Sequence, residues 1–335
     1  MGVPIASFIG LTVLILDGKT AIEGAQNGLE VCFHTVIPSL FPFIFLSSLL
    51  TGSLTGGTLI HSNPLRRLFR IPNGSEAILL TGLLGGYPIG AKCVNEALIN
   101  GQLSPNDAER MTVFCNAAGP AFLFGMAANL FEQRWIPWCL WCIHLFSALC
   151  IARLLPGDVH YFHPNGKSFT FNVTRRFRQS IQSMAEICGW IILSRIVISI
   201  LLKWCLWCLP HGLQIGIIGI MELSNGCIFL YQIENSGLRL ILCSMFLGFG
   251  GMCVALQTFS TANSISCRKY LTGKMMQGLI SFVLSYMIQR FTLPRDQRIS
   301  MGWLSLGGIV AVLVILWFFA VKRKKSSGIL ETVGV

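Results

Sequence analysis

Three polar clusters interrupt an otherwise oily sequence, and each is built from residue types that hold ions or small charged molecules. The first is GGYPIGAKCVNE, residues 85–96, where three glycines and a proline break the backbone just before Lys92, Asn95 and Glu96. Those three recur at spacings of three and four, so an ammonium, an amide and a carboxylate share one helical face. A plainer reading is also open: Lys92 reaches toward the membrane surface and pairs with Glu96, while the glycines serve close helix packing. Packing calls for small residues, but it does not call for a proline. Downstream, FCNAAGP at 114–120 breaks a second apolar stretch, and Asn116 there brings an amide that both donates and accepts. Broken helices expose amide donors at their N-terminal ends and carbonyls at their C-terminal ends, which is how transporters hold anions and small cations at mid-membrane.

The second cluster centres on Arg195 in GWIILSRIVISILL. An arginine at the bilayer centre costs about 2.5–3.5 kcal/mol on insertion scales, so this one is expected to face the protein interior. The rest of the 25 lysines and arginines can be placed in loops or near helix ends. A guanidinium grips a carboxylate in two places, and that carboxylate is either a substrate's or that of Glu222. The third cluster is ELSNG, with Glu222, Ser224 and Asn225, where a buried carboxylate suits a proton or Na⁺. Beyond it, GFGGMCVALQTFSTANS supplies Gly248, Gly250 and Gly251 for close approach. It also supplies a row of hydrogen-bonding groups, Gln257, Thr258, Ser260, Thr261 and Asn263, which serve equally well as interhelical glue. On these grounds Lys92, Asn95, Asn116, Arg195, Asn225 and Gln257 are candidates to bind substrate, and Glu96, Glu222 and Ser224 to couple an ion, Na⁺ or H⁺.

Other chemistries find less support. The 13 cysteines include two WCLWC segments, at 138–142 and 204–208. A C-x-x-C pair gains meaning only in a thioredoxin-like setting or beside two further ligands, and here both pairs lie in apolar helices among tryptophans. The six histidines are scattered, with His160 and His163 in a basic loop. No metalloprotease, nucleotide-binding or serine-hydrolase motif occurs, so neither an enzymatic activity nor a bound metal or organic cofactor is expected.

The elements that must position these residues are membrane helices. A chain of 335 residues that is 53% hydrophobic and 12% charged, with mean hydropathy +0.66, has too little polar surface to cover a soluble globule. Apolar runs near 29–50, 111–131, 135–155, 181–209 and 302–321 reach the roughly 20 residues that span a bilayer. Shorter or interrupted runs lie at 3–16, 77–91, 212–231, 238–257 and 275–289, giving an all-α polytopic protein of about 8–10 membrane segments. The first run has no basic start and no convincing cleavage site, so it is read as a retained helix. The pI near 9.2 reflects basic residues spread over short loops, a topology signal rather than a nucleic-acid surface.

Parity then constrains the path. Basic clusters at Arg66 to Arg70, Arg153 to Arg178, Arg268 to Lys274 and in the 322–325 tail, if all cytoplasmic, demand an even number of crossings between neighbours. Three apolar runs lie between the first and second cluster, and three between the second and third. One of each three must return to its own side. The broken runs 77–91 and 212–231 are the ones able to do so, entering from opposite faces. Arg290, Arg295 and Arg298 are thereby left outside. The layout is that of inverted repeats: a first repeat at 1–155, a basic cytoplasmic loop at 156–180, a second repeat at 181–300, and a last helix and tail at 301–335. A faint echo lays the helix from Gly28 on that from Met184, with Cys32 meeting Cys188.

The segment GYPIGAK at 86–92, followed by AERMTVFCNAAGP at 108–120, resembles the YlbJ/SpoVV family of sporulation integral membrane proteins, within the wider group of nucleoside-recognition or Gate-domain membrane proteins. ELSNG and GFGGMCVALQT fit less specifically, and the likeness runs from about residue 24 to 290. The basic tail departs from the family's plain apolar ending. The resemblance implies a protein of endospore-forming bacteria, with a gate architecture like that of concentrative nucleoside transporters, in the outer forespore membrane. It also implies transport of dipicolinic acid, an aromatic ring with two carboxylates, on which Tyr87 or Phe114 would stack. The expected partners are thus a small anionic substrate and the lipid bilayer, with no nucleic acid; a homo-oligomer stays open. Alternatives are a Gate-domain carrier of nucleosides or other carboxylates, a thiol oxidoreductase dependent on Cys139 or Cys142, and a non-transporting scaffold of the sporulation membrane.

Overall fold

The computed structural model describes residues 2–55, 63–155, 172–262 and 265–299. The expected span at 302–321, the basic tail, the 156–171 part of the basic loop with His160 and His163, and Asn263 lie outside the described residues. Those described form helices and turns, with no strand among them.

Helix α1 (Gly2–Leu16) turns at Asp17 into α2 (Gly18–Val31), which runs through a π turn at Cys32–Val36 into α3 (Ile37–Thr55). Asp17 accepts hydrogen bonds from Lys203 Nζ and Trp204 Nε1, both at 2.9 Å, and the Lys203 bond holds its carboxyl at about 2, below the ordinary 3.8. After the short α4 (Asn63–Phe69) come α5 (Glu76–Gly85) and α6 (Ile89–Ile99), joined by Gly86, Tyr87 and Pro88. Helix α7 (Pro105–Cys115) starts as its sequence predicts, with the Ser104 hydroxyl accepting from the Asp107 amide at 3.1 Å and a proline at the first helical position. It stops at Asn116, and the chain resumes as α8 (Pro120–Gly125) before α9 (Ile136–Leu154).

The second half has the same order. The long α10 (Val173–Leu201) also ends in a π turn, Leu202–Leu206. Two short helices follow, α11 (His211–Met221) and α12 (Leu223–Phe229), then α13 (Ser236–Phe249), which breaks at Gly250 into α14 (Gly251–Thr261), and finally α15 (Cys267–Thr292). Apart from α1 and α4 in the first half, each half is a long helix with a π turn (inside it in the first, at its end in the second), a pair of short helices, a helix broken part-way, and an unbroken helix. Among the described residues, four segments are long and apolar enough to cross a membrane: Gly18–Leu49, Ile136–Leu154, Val173–Leu206 and Ser236–Thr261. An all-α membrane protein is the architecture that composition predicts.

Both short pairs are hairpins. In a continuous helix residues 82 and 90 would sit about 12 Å apart. Instead, a methyl group at either Gly82 or Gly90 would strike the same Cys115 carbonyl oxygen, so the two arms lie side by side. In the second pair a methyl at Gly226 would overlap the Gly219 Cα, where a straight helix would separate them by about 10 Å. The broken runs at 77–91 and 212–231 thus fold back on themselves, with arms extending to residues 99 and 229.

The hairpins open toward opposite ends of the bundle. At one end Arg110 Nη2 donates to the carbonyls of Phe69 and Arg70 at 2.8 and 2.6 Å, Arg153 Nε donates to Leu68 O at 2.7 Å, and Lys269 pairs with Glu109. Three of the basic clusters meet there, beside the start of α5 and the α6–α7 turn. At the other end Arg239 donates to the carbonyls of Leu130 and Ile233, and Tyr231 donates to Asn129 O at 2.6 Å. A Cβ at Gly237, two residues before Arg239, would strike the Gln297 carbonyl oxygen, which puts the 290–298 segment at this second end, opposite the other basic clusters. Helices α2 and α10 pack antiparallel: Gly24 meets Ile196 and Ser199, Gly28 meets Ile192, and Cys32 Sγ lies 3.8 Å from the Cys188 carbonyl oxygen. The two cysteines aligned by sequence meet in this contact between the long helices.

Candidate functional site

The hairpin tips converge on the break between α13 and α14. Gly250 and Gly251 have φ of +86° and +85°, a left-handed conformation that favours glycine, and no side chain separates the break from what approaches it. A Cβ at Gly250 would stand 3.3 Å from the Tyr87 hydroxyl at the first tip. One at Gly251 would stand 3.2 Å from the Leu223 amide at the second. Tyr87 O–H donates to Leu247 O at 2.9 Å and so anchors the first tip to the last turn of α13. Gly86 backs onto Gly119, placing the same tip against the α7–α8 break. A polar cluster lies on each side of this meeting point.

The first cluster is built on the α7–α8 break. Asn116 is fully buried; its Nδ2 donates to Thr258 Oγ1 at 2.7 Å and Tyr270 Oη at 2.9 Å, while its Oδ1 has no partner. The Ala118 amide donates to His144 Nε2 at 2.9 Å, so His144 carries its proton on Nδ1, which is buried and without a partner. Lys274 has no exposed surface. Its ammonium donates to the Asn116 carbonyl at 3.2 Å and to Gln277 Oε1 at 2.8 Å, and lies 5.7 Å from the centre of the Tyr87 ring. Gln277 in turn approaches Ser147 Oγ at 3.4 Å.

The second cluster is built on the second hairpin. Glu222 caps α12, accepting from the Ser224 and Asn225 amides at 2.8 and 2.6 Å, and also accepts from Asn225 Nδ2 at 2.7 Å. Arg195 does not pair with Glu222 directly. Its Nη1 donates to Asn225 Oδ1 at 3.1 Å, its Cζ lies 4.9 Å from the centre of the Phe229 ring, and its buried Nε has no partner. Asn225 is the intermediary, because one amide can donate to the carboxylate and accept from the guanidinium at once.

The structure brings together Tyr87 and Asn116 on one flank of Gly250–Gly251, and Arg195, Glu222, Ser224 and Asn225 on the other. It leaves Lys92, Asn95 and Glu96 along α6, toward the basic end. Lys92 and Glu96 line a small pocket with Ser48, Arg176 and Ser183, and Lys92 makes no ion pair with Glu96; Glu96 is exposed. Asn95 Nδ2 donates to Thr261 O at 2.9 Å and ties α6 to α14. Of the hydroxyl row, Thr258 reaches the centre, whereas Ser260 and Thr261 bond back to the Gln257 carbonyl of their own helix. Gln257 itself is buried on α14.

Two basic residues are displaced from where sequence reasoning put them. Lys274, grouped with Arg268 and Lys269 as a loop cation, lies in the interior. Arg110 is also buried, held by backbone carbonyls at the basic end. His144, Ser147, Tyr270 and Gln277 escaped the sequence reading as well. The available signal was a polar stripe: Lys274, Gln277, Ser281, Ser285 and Gln289 recur on one face of α15, and all are fully buried. The WCLWC cysteines make no disulfide; Cys142 and Cys208 are exposed, and Trp138 and Trp141 cluster with Phe124.

No family model and no solved structure matches the chain. Among curated proteins it is similar to the "Sporulation integral membrane protein YlbJ" of Bacillus subtilis (strain 168), at 26% identity over 328 residues, covering 82% of this chain and 79% of the relative. With helices long and apolar enough to cross a bilayer and this relative across most of its length, the chain is an integral, multi-pass membrane protein, and the likeness supports its place in the YlbJ family of sporulation membrane proteins.

Proposed function

We propose that the chain is a secondary-type transporter that moves a small organic anion, dipicolinic acid by its family resemblance, across the outer forespore membrane during sporulation. The observation that carries this reading is the convergence of two oppositely opening hairpins on one glycine break, flanked by the fully buried Lys274 and the half-buried Arg195, with no carboxylate among the described residues within ion-pair distance of either. Arg195 is held by a neutral amide and an aromatic face, Lys274 by neutral oxygens and a tyrosine ring. A buried cation without a counter-ion is costly, and an entering carboxylate relieves that cost. Repeated halves with antiparallel long helices are the build of inverted-repeat carriers, whose binding site lies where the repeats meet. Coupling to an ion gradient and rocking of one half against the other belong to this proposal.

The test is uptake of radiolabelled dipicolinate by proteoliposomes containing the full chain. Wild type is expected to accumulate it, and R195Q to lose at least about tenfold of the initial rate, the cost of one charge-assisted contact, while inserting normally. No uptake by wild type, or an unchanged rate in R195Q, contradicts the proposal.

A further inference from the structure

The position of Lys274 carries a second conclusion, about what loads the site. Its Nζ has the surroundings of a bound alkali cation: a backbone carbonyl at 3.2 Å, an amide oxygen at 2.8 Å and an aromatic face. The carbonyl belongs to Asn116, where α7 stops, among the groups a helix leaves unsatisfied at the negative end of its dipole. The unpartnered Oδ1 of the same residue adds another buried acceptor at that break. Unwound helix ends of this kind supply the carbonyl oxygens that coordinate Na⁺ in transporters. Here the chain's own ammonium stands on them.

The titratable groups around it are few. The first hairpin tip brings Tyr87, α9 brings His144, α7 brings Cys115, and α15 itself brings Tyr270. Helices α13 and α14 add Cys243 and Cys253, the latter directed at Ser194 of α10, while Arg239 is held at the far end of α13. The acids of α7 lie toward its start: Asp107 accepts from Ser104 Oγ, and Glu109 is paired with Lys269. No carboxylate among the described residues reaches Lys274 within ion-pair distance. Lysine can shed and regain a proton at such a buried position, where arginine would stay charged.

We propose that Lys274 is a tethered cation filling the place that carriers of this build give to Na⁺, so that the centre is loaded by a proton and not by sodium. The step is a protonation: the Nζ lone pair takes H⁺ from water on one side, and the ammonium later yields H⁺ to water on the other, with no other bond changed. Its transport consequence rests on the carrier reading above; the cation-site assignment does not.

The deciding measurement is thermal melting of the purified full chain in detergent, in NaCl against choline chloride at equal ionic strength. Wild type and K274R, which keep the tethered charge, are expected to melt at the same temperature in both salts. K274A, which bares the oxygens, is expected to melt about 2–4 °C higher in NaCl, the shift that occupation of a modest site gives a chain of this class; K274S provides the same comparison if K274A does not fold. A sodium-specific rise in wild type, or none in either truncation, overturns the inference. In proteoliposomes, dipicolinate uptake is expected to follow a proton gradient without sodium; uptake that requires sodium overturns the inference and leaves the carrier reading intact. Failure of wild type to take up dipicolinate counts against the carrier reading alone, since the melting comparison stands without transport.

Discussion

At the scale of single residues, the interior is organised by amides that stand between charges. Asn225 keeps Arg195 and Glu222 from neutralising each other, and the Asn116 carbonyl with Gln277 holds Lys274 in place of an acid. A direct arginine–glutamate pair would hold two helices together but leave the guanidinium committed. The amide between them keeps it available. Replacing Asn225 by alanine removes a donor from the buried Glu222 and an acceptor from Arg195. N225A is therefore expected to lose about 1–3 kcal/mol of stability, read as a lower midpoint in a detergent melt, and to lose dipicolinate uptake beyond what the stability loss explains. A midpoint equal to wild type would show that Asn225 bears neither contact. This scale was the least legible in sequence. Arg195 announced itself by sitting alone in an apolar run, and Glu222, Ser224 and Asn225 by interrupting another. Lys274 did not, because Arg268 and Lys269 just before it made it look like the end of a basic loop. Only the stripe from Lys274 through Gln277 and Ser281 to Ser285 distinguishes it, and a stripe shows which side faces inward but not what it meets.

At the scale of elements, glycines set how closely backbones approach. Gly219 and Gly226 bring the arms of the second hairpin into contact, and the Phe246 ring packs into the space at Gly219. A methyl group at Gly219 would overlap that ring on a backbone already in contact, so G219A is expected to cost about 1–3 kcal/mol through overpacking. Gly189 lies inside α10 on its exposed face, where an added methyl would meet nothing within 4 Å. G189A is expected to be neutral or to gain about 0.5–1 kcal/mol. Melting the two variants side by side checks the hairpin: equal midpoints would mean that the arms are not packed as described. Much at this scale was readable. The Ser104 cap, the breaks at GYP and at NAAG, and the return of 77–91 and 212–231 follow from turn chemistry and loop charge. The exact reach of each arm did not follow, since apolar periodicity cannot fix where a hairpin arm ends and a loop begins.

At the scale of the whole molecule, the halves share one order of elements apart from α1 and α4, their long helices pack antiparallel with Cys32 against Cys188, and their hairpins open toward opposite ends. Charge distribution anticipated this, because the parity of basic loops constrains topology independently of any side-chain contact. The placement of Arg290 to Arg298 opposite the other basic clusters was its awkward corollary, and the close approach of Gln297 to Gly237 at that end agrees with it. The most direct test is sidedness of labelling. In right-side-out and inverted vesicles, with exposed Cys142, Cys205, Cys208 and Cys267 replaced by serine, single cysteines at Asn73 and Asn100 report the two ends of the first hairpin, and cysteines at His211 and Tyr231 those of the second. Asn73 and Asn100 are predicted to react with an impermeant maleimide from one face, and His211 and Tyr231 from the other. Reaction of the two ends of either hairpin from opposite faces would mean that the segment crosses the bilayer, and would contradict the account.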